Sequence, residues 1–135
     1  MITAVDSNVL IDVFGADARF GHASAGALRL CINEGSVLAC SVVWSEVRAA
    51  FAGEADFRNA LQTLGIGFSA LTEQAATLAG TNWKKYRSAG GKRGRVMADF
   101  LIGAHAVAQC DRLLTRDRGY YKKYFSGLKL VESSP

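Results

Sequence analysis

The sequence predicts an α/β protein whose mainly parallel sheet is covered by helices on both faces. Short apolar runs rich in β-formers alternate with longer runs at helical spacing, which is the pattern of strand–helix–strand units. Glycines and capping residues punctuate those runs where elements should start and stop. The chain has 135 residues, half of them hydrophobic, which is one domain (1–135) with enough apolar material for its own core.

Taken in order, Ile2–Val5 reads as a buried strand, and Asp6-Ser7-Asn8 supplies capping chemistry for a helix through Val9, Leu10, Val13 and Phe14 that ends at Gly15. Phe20 to Glu34 is a second helix stopped by Gly35. Val37–Cys40 is a strand, after which Ser41 is placed to cap a helix from Val42 to Ala52. Glu54 to Leu64 is amphipathic and closes at Gly65, and Ile66–Ala70 forms a third strand. Thr72 opens a helix to about Arg87, broken by Gly90-Gly91. Val96 to Gln109 is an apolar helix, Arg112–Thr115 a strand, Tyr120–Phe125 a helical turn or two, and Leu128–Val131 an edge strand.

Composition excludes several classes. No apolar stretch approaches the roughly 20 residues that span a bilayer. The opening Met1-Ile2-Thr3-Ala4-Val5-Asp6 lacks the basic start of a signal peptide, so a cytoplasmic protein is expected. Cys31, Cys40 and Cys110 sit at wide spacing among apolar neighbours, as reduced thiols do, and not as a disulfide or zinc framework. Charge is divided along the chain. Residues 1–83 carry four Lys/Arg against eight Asp/Glu, a net of −4; residues 84–135 carry twelve against four, a net of +8. A basic second part of this kind suits a polyanionic partner.

Four carboxylates stand out. Asp6 follows the first strand, Glu46 lies about one turn into the helix after the second, and Asp117 lies two residues beyond Thr115. In a parallel sheet these three project from one edge, where ligand sites of such folds lie. Asp99 is the one formal charge in an apolar helix, and Glu46 is the one charge between Val37 and Val47. Lone carboxylates in such surroundings need a cation, a hydrogen-bonding partner or a proton. Singly, each could cap a helix, open a turn or face solvent. Together they fit a hard divalent cation, Mg²⁺ or Mn²⁺, and hence phosphoryl chemistry. Lys84, Lys85, Arg87, Lys92, Arg93 and Arg95 before Asp99, with Arg116 and Arg118 around Asp117, could hold a phosphate backbone.

Asp6-Ser7-Asn8 after a short strand, Glu46 in Ser-Val-Val-Trp-Ser-Glu-Val, Asp99 in Ala-Asp-Phe-Leu-Ile-Gly-Ala-His-Ala and Leu-Leu-Thr-Arg-Asp at 113–117 together resemble the PIN domain, and more narrowly its VapC-type toxins. The resemblance runs over nearly the whole chain, and is most specific over 99–106 joined to 113–117. It implies a three-layer α/β/α sandwich with a mainly parallel sheet of four to five strands. It also implies Mg²⁺- or Mn²⁺-dependent RNA cleavage and a VapB-type antitoxin whose C-terminal segment wraps the toxin; a homodimer is a further expectation. By position, Asp6, Glu46, Asp99 and Asp117 match the family's four acids, and Ser7 and Thr115 its accessory hydroxyls. Lys92, Arg93, Arg95, Arg116 and Arg118 are the expected RNA contacts. For the antitoxin, the face made by Val9, Leu10, Val13 and Phe14 is the expected groove, with a basic residue entering the acidic pocket.

Two other functions compete. A phosphoacceptor domain would usually need adjacent acids at its first strand's end, whereas Ala4-Val5 precede Asp6, and the Asp-x-Asp phosphatase pattern fails at Asn8. A structure-specific DNA nuclease normally carries more acids and longer insertions. His105 lies six residues after Asp99, about 240° round a helix, and is expected to pack away from the site; nothing marks out His22. Thr115 is expected to orient the loop carrying Asp117. The aromatic residues Trp83, Tyr86, Tyr120, Tyr121, Tyr124 and Phe125 are expected in the core or an interface more than against bases.

Overall fold

A computed structural model describes residues 1–92 and 97–132, with Arg118 described by its backbone alone. The elements are β1 (Ile2–Val5), α1 (Ser7–Phe14), α2 (Gly21–Glu34), β2 (Ser36–Cys40), α3 (Ser41–Ala49), α4 (Glu54–Leu64), β3 (Gly67–Ser69), α5 (Glu73–Ser88), α6 (Met97–Gln109), β4 (Arg112–Thr115), α7 (Arg118–Tyr124) and β5 (Leu130–Glu132). All four strand pairings are parallel, in the order β3-β2-β1-β4-β5.

That order has a functional consequence. From β1 the chain steps outward to β2 and β3, then crosses back to β4 and continues outward to β5 on the other side. Right-handed crossovers made in opposite directions put their helices on opposite faces, α1–α4 on one and α5–α7 on the other. Burial agrees, because neighbouring strand residues that point to opposite faces, Ala4 and Val5 or Leu113 and Leu114, are all buried. The strand order reverses between β1 and β4, and the two strands run in register from Thr3 beside Arg112 to Val5 beside Leu114. Their carboxyl ends therefore form the crevice where such sheets bind ligands.

Helix ends explain themselves locally. Thr72 caps α5 by accepting the Ala75 N–H on its hydroxyl at 3.1 Å. Gly65 ends α4 at φ 69°, a left-handed conformation suited to glycine. One capping expectation fails: Cys40, not Ser41, occupies the N-cap of α3, and no side chain caps it. Ser41 is already helical because β2 passes into α3 without a connecting residue.

On the α5–α7 face, Phe100 is wholly buried at the centre of an aromatic cluster with Trp83, Tyr86, Tyr120, Tyr124 and Phe125, at centroid distances from 5.2 to 6.0 Å. These rings are core, as expected, and they fix the first turn of α6, where Asp99 sits beside Phe100. Gly103 makes the closest approach possible, since a Cβ there would stand 2.5 Å from Phe125 Cε2. His105 is buried with Nε2 2.9 Å from Ser69 Oγ, and burial lowers its pKa. The three cysteines are free thiols, two of them buried.

Candidate active site

Asp6 is the organising residue. It leaves β1 at the switch point, its N–H still bonded to the Leu114 carbonyl at 2.9 Å, and it is 4% exposed. Although it occupies the N-cap of α1, its side chain makes no cap hydrogen bond. The carboxylate instead accepts at Oδ2 from the Thr115 hydroxyl at 2.8 Å and from the Tyr121 hydroxyl at 3.1 Å. Capping, the simpler explanation for an aspartate here, is thereby excluded.

Ser7 joins the second acid to the first. Its hydroxyl lies 2.9 Å from Glu46 Oε1 and 3.5 Å from Asp6 Oδ1, so the carboxylates of Asp6 and of Glu46 in α3 flank one hydroxyl. Thr115 plays the corresponding part on β4, because its Oγ1 also accepts the Asp117 N–H at 3.0 Å. A single threonine thus fixes both the Asp6 carboxylate and the loop that carries Asp117. Asp99, in the first turn of α6, stands near enough for its charge to act on Asp6.

The electrostatics follow from this packing. Burial pushes the Asp6 carboxyl up to about 6, against the opposing hydrogen bonds from Thr115 and Tyr121, and the Asp99 charge adds to the rise. Burial and the same negative charges raise the Tyr121 hydroxyl as well, so it remains a proton donor to Asp6 at any ordinary pH. Among the described residues, no three His, Cys, Asp or Glu side chains are close enough to enclose a metal by themselves. The donor set at the edge is all oxygen, however: Asp6, Glu46 and Ser7 in contact, with Asp99 acting on Asp6 through space. Mg²⁺ suits such a set, since it is usually bound through one or two carboxylates and keeps several waters.

The basic residues divide differently from the expectation. Arg116 does not stand free for phosphate; its Nε and Nη2 donate to Asp12 Oδ2 and Oδ1 at 2.6 and 3.1 Å. Lys92 is exposed, and its carbonyl accepts from the Tyr86 hydroxyl at 2.6 Å. Arg93 and Arg95, as well as the Arg118 side chain, lie outside what is described. Sequence reasoning missed Tyr121, Asp12 and the role of Arg116. Asp12 could have been found by the argument that singled out Asp99, being the one charged residue between Asp6 and Asp17 in an otherwise apolar segment.

The expected apolar groove also moves. Val9 and Leu10 are wholly buried because they face the sheet, whereas Ile11 is 41% exposed. An open cleft between α1 and α3 is lined by Ile11, Phe14, Val47 and Phe51.

The family model described as PIN domain matches residues 3–126. Among solved structures, VapBC2 from Rickettsia felis, bound to a DNA fragment from its promoter, superposes with a TM-score of 0.75 at 17% identity, covering 98% of both chains. VapBC-1 from nontypeable Haemophilus influenzae gives 0.72 at 16% identity over 98% of both chains. A toxin–antitoxin complex from Klebsiella pneumoniae gives 0.69 at 19% over 97% of both. At such identities the likeness speaks for the fold. No curated protein sequence matches the chain.

Proposed function

The chain belongs to the PIN-domain family, and from that premise we propose that it is a divalent-metal-dependent endoribonuclease, the toxin of a VapBC-type pair. The observation that carries the proposal is the buried Asp6 carboxylate at the sheet's switch point, joined by Ser7 to Glu46 and by Thr115 to the Asp117 backbone. A carboxylate taken out of water, with the Asp99 charge acting on it and Glu46 linked through Ser7, is poised for a cation.

Asp6, Glu46, Asp99 and Asp117 would hold Mg²⁺ or Mn²⁺. When bound, the ion supplies Lewis-acid polarisation of the scissile phosphate and lowers the pKa of water. The chain's own groups do the positioning. Thr115 and Tyr121 both donate to Oδ2 of Asp6, which fixes the carboxylate plane and leaves Oδ1 toward Ser7 and Glu46. Lys92, which is exposed, together with Arg93, Arg95 and Arg118 of the basic second part of the chain, would hold RNA phosphates without reading sequence.

A VapB-type antitoxin is the partner this reading implies. The α1–α3 cleft, with Ile11 and Phe14 on one wall and Val47 and Phe51 on the other, offers an apolar seat for its C-terminal segment. A basic antitoxin side chain reaching the acidic edge would compete with metal, each weakening the other's binding. The test is a titration of antitoxin peptide with and without Mn²⁺. Weaker binding in Mn²⁺ is expected, and equal affinities would place inhibition elsewhere.

A further inference from the structure

Arg116 stands between Thr115 and Asp117, yet its side chain is engaged with α1 instead of the acidic edge. Its guanidinium meets both oxygens of Asp12 in two parallel hydrogen bonds, and Ser24 of α2 donates to Asp12 Oδ2 at 2.8 Å. The guanidinium carbon lies 4.0 Å from the centre of the Phe20 ring. Asp12 is 4% exposed and Ser24 fully buried. Geometry so over-determined differs from that of an exposed ion pair, whose partners wander in solvent.

This clamp holds the segment on which the site depends. Thr115 presents its hydroxyl to Asp6 and to the Asp117 N–H, and Asp117 stands at the N-cap of α7 without a side-chain cap bond. We propose that Asp12 and Arg116 are positioning residues, locking the Thr115–Asp117 segment against α1 and α2 so that Thr115 and Asp117 keep their places beside Asp6. The inference rests on the nuclease reading above for its catalytic consequence, but the clamp itself is a property of the fold. The rival role for Arg116, a direct phosphate contact, would require its release from Asp12.

Four variants decide the matter: Asp12→Asn, Arg116→Gln, the two combined, and Arg116→Lys. Each single variant should lower kcat on RNA by about 100-fold while KM and RNA affinity in EDTA stay near wild type, the signature of displaced catalytic groups. The double variant should be no worse than either single one, because both break the same clamp. Arg116→Lys should not rescue kcat, since an ammonium cannot make two parallel bonds. In all four, amide exchange of Asp117 should quicken by about tenfold relative to β1 amides. If Arg116→Gln weakens RNA binding and flattens its salt dependence while Asp12→Asn leaves kcat intact, Arg116 is a phosphate contact and the proposal fails. It also fails if the variants melt earlier but keep kcat and Asp117 exchange. Should the wild type cleave no RNA, the nuclease reading fails, and Asp117 exchange in Arg116→Lys, the mildest change, still tests the clamp.

Discussion

Replacing Asp6 by Asn should make the metal-free protein more stable at neutral pH and less distinguishable from wild type in acid. The Asp6 carboxyl is raised from 3.8 to about 6, chiefly by burial. Between those values the folded state binds the proton more tightly than the unfolded one, so the Asp6 contribution to stability is complete below pH 3.8 and is lost as pH rises through 6. About two units at 1.36 kcal/mol each give a penalty of about 3 kcal/mol for the ionised, metal-free site. An Asn amide oxygen can still accept from Thr115 and Tyr121, so the variant keeps those bonds without the charge. Denaturant unfolding in EDTA at pH 4 and pH 7.5 measures the effect as the difference between variant and wild type, which cancels the titrating groups that do not interact with Asp6. That difference should grow in favour of Asp6→Asn by about 2.4 kcal/mol over the interval, the remainder being lost already below pH 4 where the unfolded carboxyl begins to ionise. Mn²⁺ at a hundredfold excess over its Kd should return about 2.7 kcal/mol to the wild type alone, nearly offsetting the penalty. A difference independent of pH, or one that favours the wild type at pH 7.5 in EDTA, would refute the reasoning.

Other consequences can be measured alongside. Tyr121→Phe removes one of two hydroxyls on Asp6 Oδ2 and should cost about 1.5 kcal/mol at pH 7.5, less at pH 4 where the acceptor is neutral; equal losses at both would show that packing alone is at stake. Replacing Lys92, Arg93 and Arg95 together by Ala should weaken RNA binding across sequences and lower its salt slope, whereas an unchanged slope would move the RNA elsewhere. Thr72→Ala deletes the α5 cap and should cost about 1 kcal/mol with cleavage unaffected, a control that separates stability from activity in the same melts.

Element order, the parallel sheet and the acidic edge were legible in the sequence because each rests on local signals: periodicity, glycine stops, and lone charges in apolar runs. Asp6, Glu46 and Asp117 stood out by following strands, and the structure brings Asp6 and Glu46 to one hydroxyl and links Asp117 through Thr115. What stayed hidden depends on tertiary docking. Tyr121 meets Asp6 across 115 residues of chain and Arg116 meets Asp12 across 104, and no local pattern encodes either pairing. Arg116 read as a phosphate ligand because it neighbours Asp117, whereas the buried Asp12 claims it first. Val9 and Leu10 read as a partner groove because helical spacing identifies an apolar face without saying whether the sheet or another protein covers it.

The central claim is that the four carboxylates serve metal-dependent RNA cleavage, and it meets its most direct test in a time course of RNA cleavage by wild type and Asp99→Asn, each in Mn²⁺ and in EDTA. Asp99 contributes charge at the edge beside Asp6, so its neutral isostere should leave the metal-free fold as stable as wild type or slightly more so, and still abolish the reaction. Cleavage confined to the wild type in Mn²⁺ is the predicted result. Equal cleavage by a well-folded Asp99→Asn, or cleavage by the wild type that persists in EDTA, would contradict the account.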